Sequence, residues 1–334
     1  MIARYKSALI FGFLMLLGSS AHAGPLLVVG HKNPDSDSIF SAISLAYLKT
    51  QQGTPAVAIA QGKPNPESQF VLEYFGLPPP PVELKVAGNK VMLVDHNSYA
   101  QAPDDIRDAE IVGIVDHHNL GGISTNEPVD VLIQPVGSAN TIIWQLYERA
   151  GVAIPSAIAG GMLSAILSDT LAFRSATTTE SDRAAVQSLA SIAHINDIQK
   201  FGQQLFSASE ADLKTAPINS LLQRDFKNFE MNGNKVGVAQ LTAVRFDLLN
   251  DRKAEFLDAM QALQKEQGYQ SMVMMLTDIQ SEGTELLVVG KNQLEIGKAF
   301  QVSLENHSAW IAGLMSRKKQ IIPALEKVFD DHDK

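Results

Sequence analysis

The stretch GHKNPDSDSI (residues 30–39) directly follows the apolar run PLLVV (25–29). The run has the length and composition of a buried strand, and residues 39–47 then carry apolar side chains at the spacing of one helix face. A strand followed at once by a helix predicts the first βα unit of a parallel α/β sheet. Between the two lie His31, Asp35 and Asp37. These residues could form only a turn and a helix cap, or they could belong to a metal site.

Similar units continue along the first half of the chain. Further strand candidates are AVAIA (56–60), VMLVD (91–95) and IVGIVD (111–116). Helical patterns cover residues 141–151 and 156–173. Strands that alternate with helices predict an α/β domain built on a parallel sheet.

The pattern changes after the polar stretch SASEADLKTAP (207–217). Residues 225–241 predict two strands joined by a tight turn at Asn232-Gly233. SMVMMLTDI and ELLVVG predict two more strands, and helices are expected before them and at 308–317 and 321–329. We therefore expect two α/β domains, the second smaller than the first, with these bounds: domains at 24–208 and 217–334 and a linker at 209–216.

The first 23 residues have the three parts of a signal peptide. Arg4 and Lys6 precede the apolar run ALIFGFLMLLG (8–18), which is too short to span a bilayer. The following Ala-His-Ala matches the pattern of a cleavage site after Ala23. We expect an exported protein, periplasmic or secreted, that keeps no membrane anchor after cleavage.

Composition limits the chemistry. The net charge of −9 argues against general nucleic-acid binding, although it allows a local basic pocket. The chain has no cysteine, so no thiolate can act as a nucleophile or metal ligand. Any metal site must use histidine and carboxylate ligands, which favours Mn, Co, Fe, Zn or Mg over soft metals.

Polar residues also follow two later strands. VMLVD ends at Asp95, and IVGIVD is followed by His117 and His118. The carboxyl ends of parallel strands converge on one crevice, so these side chains should lie near His31. Asp169 stands in an otherwise apolar helix, where an unpaired carboxylate would be costly. Each residue alone could be a helix cap or a paired polar group. Together they predict a centre for two divalent cations with these ligands: His31, Asp35, Asp37, Asp95, His117 and Asp169.

A cationic segment near the C-terminus could bind phosphate. SRKKQ (316–320) contains Arg317 and Lys318, and arginine can hold phosphate oxygens with two parallel hydrogen bonds. The alternative is a solvated basic helix end, favoured by the helix dipole. Lys227, in DFKNF (225–229), is a weaker candidate for the same role.

In order along the chain, GHKNPDSDSI, VDHN (94–97), VDHH (115–118), SDT (168–170) and SRKKQ resemble the motifs of family II, manganese-dependent inorganic pyrophosphatases. These enzymes are part of the DHH phosphoesterase superfamily. The resemblance implies an N-terminal DHH domain with a parallel sheet and a smaller C-terminal, DHHA2-like lid domain. It also implies an active site in the cleft between them and a homodimer formed through the N-terminal domains.

The resemblance assigns roles to single residues. His31, Asp35 and Asp95 would hold one metal, with Asp95 as a bridge. Asp37, His117 and Asp169 would complete the second site. On the substrate side, the implied residues are His118, Lys227, Arg317 and Lys318.

The implied reaction is the hydrolysis of pyrophosphate to two phosphates by a metal-bridged hydroxide, with Asp95 and His118 in catalytic roles. The implied metals are two Mn²⁺ or Co²⁺ ions, with Zn²⁺ an alternative for an exported protein, and additional Mg²⁺ bound with substrate. Two features depart from the family pattern: the signal peptide, and NLGG (119–122), which lacks the basic residue common after VDHH.

Other functions compete with this hypothesis. An exopolyphosphatase of the same superfamily usually lacks the histidine of the first motif, so His31 favours pyrophosphate. A nuclease or cyclic-dinucleotide phosphodiesterase would carry a glycine-rich C-terminal motif, which this sequence does not have. A metal- or phosphate-binding protein without turnover would have no need for the bridging Asp95.

Overall fold

The structure is a computed structural model that describes residues 24–330. The predicted signal peptide lies outside the described residues. The first sheet has five parallel strands in the order β2-β1-β3-β4-β5. The strands are β1 (Leu26–Val29), β2 (Ala56–Ile59), β3 (Lys90–Val94), β4 (Glu110–Asp116) and β5 (Asp130–Ile133). The predicted parallel α/β sheet is therefore confirmed, and β5 is an edge strand that the apolar pattern did not indicate.

Six helices accompany this sheet among the described residues, and buried side chains of all six share one core with side chains of the sheet. They are α1 (Ser36–Gln51), α2 (Pro66–Phe75), α3 (Ala139–Ala150), α4 (Ser156–Asp169), α5 (Glu180–Ile192) and α6 (Ile198–Ser209). Helix α4 is almost wholly buried, and the ring of Phe40 lies directly against it at Gly161. A Cβ atom at Gly161 would lie 2.5 Å from that ring, so this glycine allows α1 and α4 to pack closely.

The second sheet is mixed, in the order β10-β9-β8-β7-β6. Its strands are β6 (Phe226–Met231), β7 (Asn234–Ala243), β8 (Ser271–Asp278), β9 (Gly283–Gly290) and β10 (Ser308–Ala312). Strands β7 and β8 pair in parallel, and the other neighbours are antiparallel. The predicted hairpin is confirmed, with Asn232 and Gly233 both at positive φ (47° and 74°) between β6 and β7.

The helices of this second part are α7 (Ile218–Gln223), α8 (Asp247–Asn250), α9 (Lys253–Gln267), α10 (Gln293–Ala299) and α11 (Ile322–Asp330). The helix predicted at 321–329 is confirmed by α11. The helix predicted at 308–317 is wrong, because residues 308–312 form the edge strand β10. Exposure alternates along SAWIA, as expected for an edge strand with one covered face.

The two parts contact each other beside the cleft. Leu171 and Phe206 from the first part pack with Ile279 and Met315 from the second. The Lys319 ammonium also donates to the Ala176 carbonyl, at 2.8 Å. The segment that joins the two parts is anchored as well, because Leu213 is buried in the core of the second part.

Across residues 24–330, the structure contains no helix with the length and apolar character needed to cross a membrane.

Candidate active site

Three strands of the first sheet place polar side chains at one edge. His31 follows β1, Asp95 follows β3 and His117 follows β4, and all three are buried. Asp95 has a left-handed backbone conformation, with φ of 59°. Such a conformation is strained for most residues, aspartate and asparagine adopt it more readily than others, and it is common at functional sites. This conformation turns the chain at Asp95, which lies in space between His31 and His117.

The first cluster is formed by His31, Asp35 and Asp95. The Nε2 atom of His31 lies 3.2 Å from Asp35 Oδ2 and 3.1 Å from Asp95 Oδ2. Its Nδ1 atom lies 2.7 Å from the Lys32 carbonyl oxygen and can donate a proton to it. A histidine held in this way directs Nε2 toward the carboxylates, the orientation in which metal-binding histidines commonly place their coordinating nitrogen.

The second cluster uses the other oxygen of the same aspartate. His117 Nε2 lies 3.1 Å from Asp95 Oδ1 and 3.5 Å from Asp169 Oδ2. It lies 3.6 Å from Asp37 Oδ2. His117 Nδ1 lies 3.1 Å from the Val136 carbonyl oxygen, so this ring can also present Nε2 to the carboxylates. Each carboxylate oxygen of Asp95 thus faces a different cluster.

When only protein groups are present, the carboxylates of these clusters repel one another strongly. Burial and the nearby Asp95 raise the pKa of Asp37 to about 6. Burial and the neighbouring carboxylates Asp37 and Asp35 raise the pKa of Asp169 well above its usual range. Burial disfavours the charged form of His31, but its interactions with Asp35 and Asp95 outweigh this and raise its pKa to about 10. The site therefore favours additional positive charge.

The donor set fits divalent cations. The ligand atoms of each cluster lie within 4.8 Å of one another, and every predicted metal ligand belongs to one of the two clusters. Carboxylate oxygens with a minority of imidazole nitrogens suit borderline-hard ions such as Mn²⁺. The predicted roles of the individual ligands remain predictions, but the structure brings all six residues together.

Helix α3 holds Asp37 in place. The carboxylate accepts hydrogen bonds from Ser138 Oγ (2.6 Å), the Ala139 amide (2.7 Å) and the Asn140 side-chain amide (2.8 Å). Sequence reasoning missed Ser138 and Asn140, because it began this helix at residue 141. Gly-Ser-Ala-Asn before an apolar helix was the available signal, since serine is a preferred N-cap residue.

Asp116 positions His118, and both belong to a third group of possible metal ligands with Asp95 and His117. Its carboxylate accepts hydrogen bonds from the amides of His117 (2.7 Å) and His118 (3.1 Å) and from the Asn97 side chain. It also lies 2.8 Å from His118 Nδ1. Burial lowers the pKa of His118 to about 3, despite the nearby Asp116, so the free protein holds a neutral imidazole here.

The predicted phosphate-binding cations line the opposite wall of the cleft. Lys227 projects from β6, and Arg317 and Lys318 belong to a π-helical turn (Arg317–Ile321) that leads into α11. The cleft has a volume of about 720 Å³ and is also lined by Asp95, among other cluster residues. Arg317 is anchored by Asp225, through its carboxylate (2.8 Å) and its carbonyl (2.9 Å).

Lys318 lines the cleft with its ammonium shielded from solvent. Its ammonium is buried without a hydrogen-bond partner among the described residues. Burial lowers its pKa to about 8. A buried ammonium without a partner is costly, and an anion in the cleft would supply one. Lys319, the next cation of SRKKQ, instead contacts the first part of the chain at Ala176.

Comparison with known proteins agrees with this arrangement. Residues 25–166 match the DHH family, N-terminal domain, and residues 203–328 match the DHHA2 domain. A protein of Archaeoglobus fulgidus named as a manganese-dependent inorganic pyrophosphatase is 46% identical over 90% of this chain and 97% of its own. A protein of Streptococcus mutans with the same name is 43% identical over 91% of this chain and 99% of its own.

A solved structure shares the whole fold. The crystal structure of a Methanococcus jannaschii protein, described as a family II inorganic pyrophosphatase, superimposes with a TM-score of 0.85. It is 38% identical to this chain, and the match covers 91% of this chain and 99% of that one. The similarity extends over both sheets and the cleft between them.

Proposed function

Because this chain belongs to the manganese-dependent, family II inorganic pyrophosphatases, we propose that it hydrolyses pyrophosphate to two phosphates in the cleft between its two domains. The observation that carries the proposal is the position of Asp95. Its two oxygens face two separate clusters of histidine and carboxylate ligands, at 3.1 Å from His31 and 3.1 Å from His117. A carboxylate shared in this way is the feature that a two-metal site requires.

The residues fit two manganese ions. His31, Asp35 and Asp95 would hold one, and Asp95 would share the second with these residues: Asp37, His117 and Asp169. When bound, the two cations would neutralise phosphate charge and activate a water for attack on phosphorus. We extend the proposal to Co²⁺ as a substitute, to Zn²⁺ in an exported protein and to additional Mg²⁺ that accompanies the substrate.

The side chains of the chain itself bind and orient the substrate. The Lys318 ammonium and the Lys227 side chain can neutralise phosphate oxygens, and Arg317 can bind them with a planar fork. Asp225 holds that guanidinium in a fixed orientation, and Asp116 does the same for the imidazole of His118. This preorganisation reduces the rearrangement needed when pyrophosphate enters the cleft.

The alternative exopolyphosphatase function is less well supported. Its main counter-argument is His31, which the structure brings into the first cluster through contacts with Asp35 and Asp95. The curated relatives described above are named as pyrophosphatases.

We further propose that the protein is exported and dimeric. The signal-peptide pattern of residues 1–23 supports export, which N-terminal sequencing of the natural protein would test by showing whether it begins at Gly24. The edge position of β5 in the first sheet supports a dimer formed through that sheet. Light scattering would test this proposal, since a monomeric mass at working concentration would contradict it.

Phosphate release tests the proposed function. The protein beginning at Gly24 would be stripped of metal and reloaded with Mn²⁺, Co²⁺, Zn²⁺ or Mg²⁺, and then given pyrophosphate or long-chain polyphosphate. We expect fast, Mn²⁺- or Co²⁺-dependent release from pyrophosphate. Preferential release from polyphosphate would support the exopolyphosphatase alternative, and no release with any metal would contradict both.

A further inference from the structure

Glu67 is a buried carboxylate that the site described so far does not use. It lies in the first turn of α2 and is 7% exposed. Its Oε1 atom accepts hydrogen bonds from Ser36 Oγ at 2.5 Å and from Ser168 Oγ at 2.7 Å. Burial raises its pKa to about 7. A buried carboxylate is costly to retain, so its two specific partners suggest a role beyond packing.

Both partners stand beside predicted metal ligands. Ser36 begins α1 and lies between Asp35 and Asp37, which belong to different clusters. Ser168 is next to Asp169, the last residue of α4. One oxygen of Glu67 therefore joins the start of α1 to the end of α4 at the positions from which these ligands project.

The remaining contacts between these helices are mostly apolar. Phe40 of α1 packs against α4 at Gly161, and buried aliphatic side chains surround it. Apolar packing is non-directional, whereas two hydrogen bonds to one oxygen fix a distance. Glu67 is not itself in either ligand cluster among the described residues.

We propose that Glu67 is a positioning residue for metal binding, acting through Ser36 and Ser168 to set the separation between the ligands on α1 and the ligand on α4. This inference rests on the proposed function, because it assumes that the two clusters bind metal. Groups that hydrogen-bond the metal ligands themselves typically contribute a factor of about 10 to 100 in metal affinity, and we expect an effect of this order from Glu67.

Mn²⁺ titration of the full chain would test the proposal, with free Mn²⁺ followed by electron paramagnetic resonance. We expect Glu67→Ala to weaken Mn²⁺ binding about 10- to 100-fold. We expect Glu67→Gln to recover most of that loss, because its amide oxygen can accept both serine hydroxyls. At saturating Mn²⁺, kcat of Glu67→Ala should return close to the wild-type value, since the substrate contacts are intact.

Asp278→Ala is the matched control. Asp278 is also a buried carboxylate that accepts a serine hydroxyl, from Ser281 at 2.6 Å, but it belongs to the second sheet and does not line the cleft. A purely structural loss would lower the melting temperature of this variant and of Glu67→Ala alike, without changing Mn²⁺ affinity in either folded protein.

Several outcomes would overturn the inference. Wild-type Mn²⁺ affinity in folded Glu67→Ala would do so, and so would a Glu67→Gln variant that binds as weakly as Glu67→Ala. If Glu67→Ala does not fold, Ser36→Ala and Ser168→Ala each remove one of the two hydrogen bonds, and unchanged Mn²⁺ affinity in both would refute the proposal. Absence of Mn²⁺ binding by the wild type would instead refute the proposed function.

Discussion

Replacing Asp95 with asparagine should deprive one of the two metal clusters of the ligand that they share. Asparagine has nearly the same shape and also tolerates the left-handed backbone conformation at this position, where φ is 59°, so the fold should be retained. It keeps one carbonyl oxygen and replaces the other with an amide group that cannot bind a cation. One cluster must therefore lose its shared ligand.

The size of the effect follows from the ligand count. Asp95 is one of the three residues of the first cluster, so an amide nitrogen facing His31 would leave that cluster with His31 and Asp35. Two ligands do not retain a cation well, and the reaction would lose the assistance of one metal. If that assistance is worth about 4 kcal/mol, kcat/KM for pyrophosphate should fall about 1,000-fold.

The assay combines metal counting with phosphate release. Asp95→Asn should bind close to one Mn²⁺ per chain where the wild type binds two. Its melting temperature without metal should fall, because the charged Asp95 carboxylate interacts favourably with His31 and His117. Asp278→Asn makes the same change at a buried carboxylate outside the cleft and serves as the control with unchanged metal content. Two tightly bound Mn²⁺ ions, or a kcat/KM within tenfold of the wild type, would refute the bridging role.

Three further predictions follow from the geometry. Asp116→Asn should keep both metals but lower kcat about 10- to 100-fold, because His118 loses its 2.8 Å carboxylate partner; loss of metal would contradict this. Lys318→Met should weaken pyrophosphate binding and yet stabilise the metal-free protein at pH 7, by up to about 3 kcal/mol, because burial lowers the Lys318 pKa to about 8. Unfolding in urea measures this change in stability, and the gain should shrink as pH rises from 8 to 10.5. Mn²⁺ at about 100 times its Kd should stabilise the chain by about 2.7 kcal/mol for each bound ion, seen as a higher melting temperature, and no shift would argue against binding to the folded state.

The sequence predicted the fold and the site well at positions where the residue type has few possible structural roles. Short apolar runs predicted β1 to β4 within a residue or two, and Asn232-Gly233 predicted the hairpin of the second sheet. The residues predicted as metal ligands converge because parallel strands deliver their carboxyl ends to one edge. Histidines and aspartates directly after such strands are therefore strong signals.

The sequence was less informative where contacts join distant segments. Edge strands β5 and β10 are short and half exposed, so their apolar patterns are weak. Asp116 is in a strand-end motif like Asp95, and only its four donors show that it orients His118. Glu67 resembles an ordinary first-turn helix residue, and its link to Ser168 spans 101 positions.

The most direct test of the two-metal account is the anomalous scattering of manganese in crystals of the Mn²⁺-loaded protein. The account predicts two peaks, about 3.5–4 Å apart, each within bonding distance of a different oxygen of Asp95. One peak, or two peaks of which only one contacts Asp95, would contradict it.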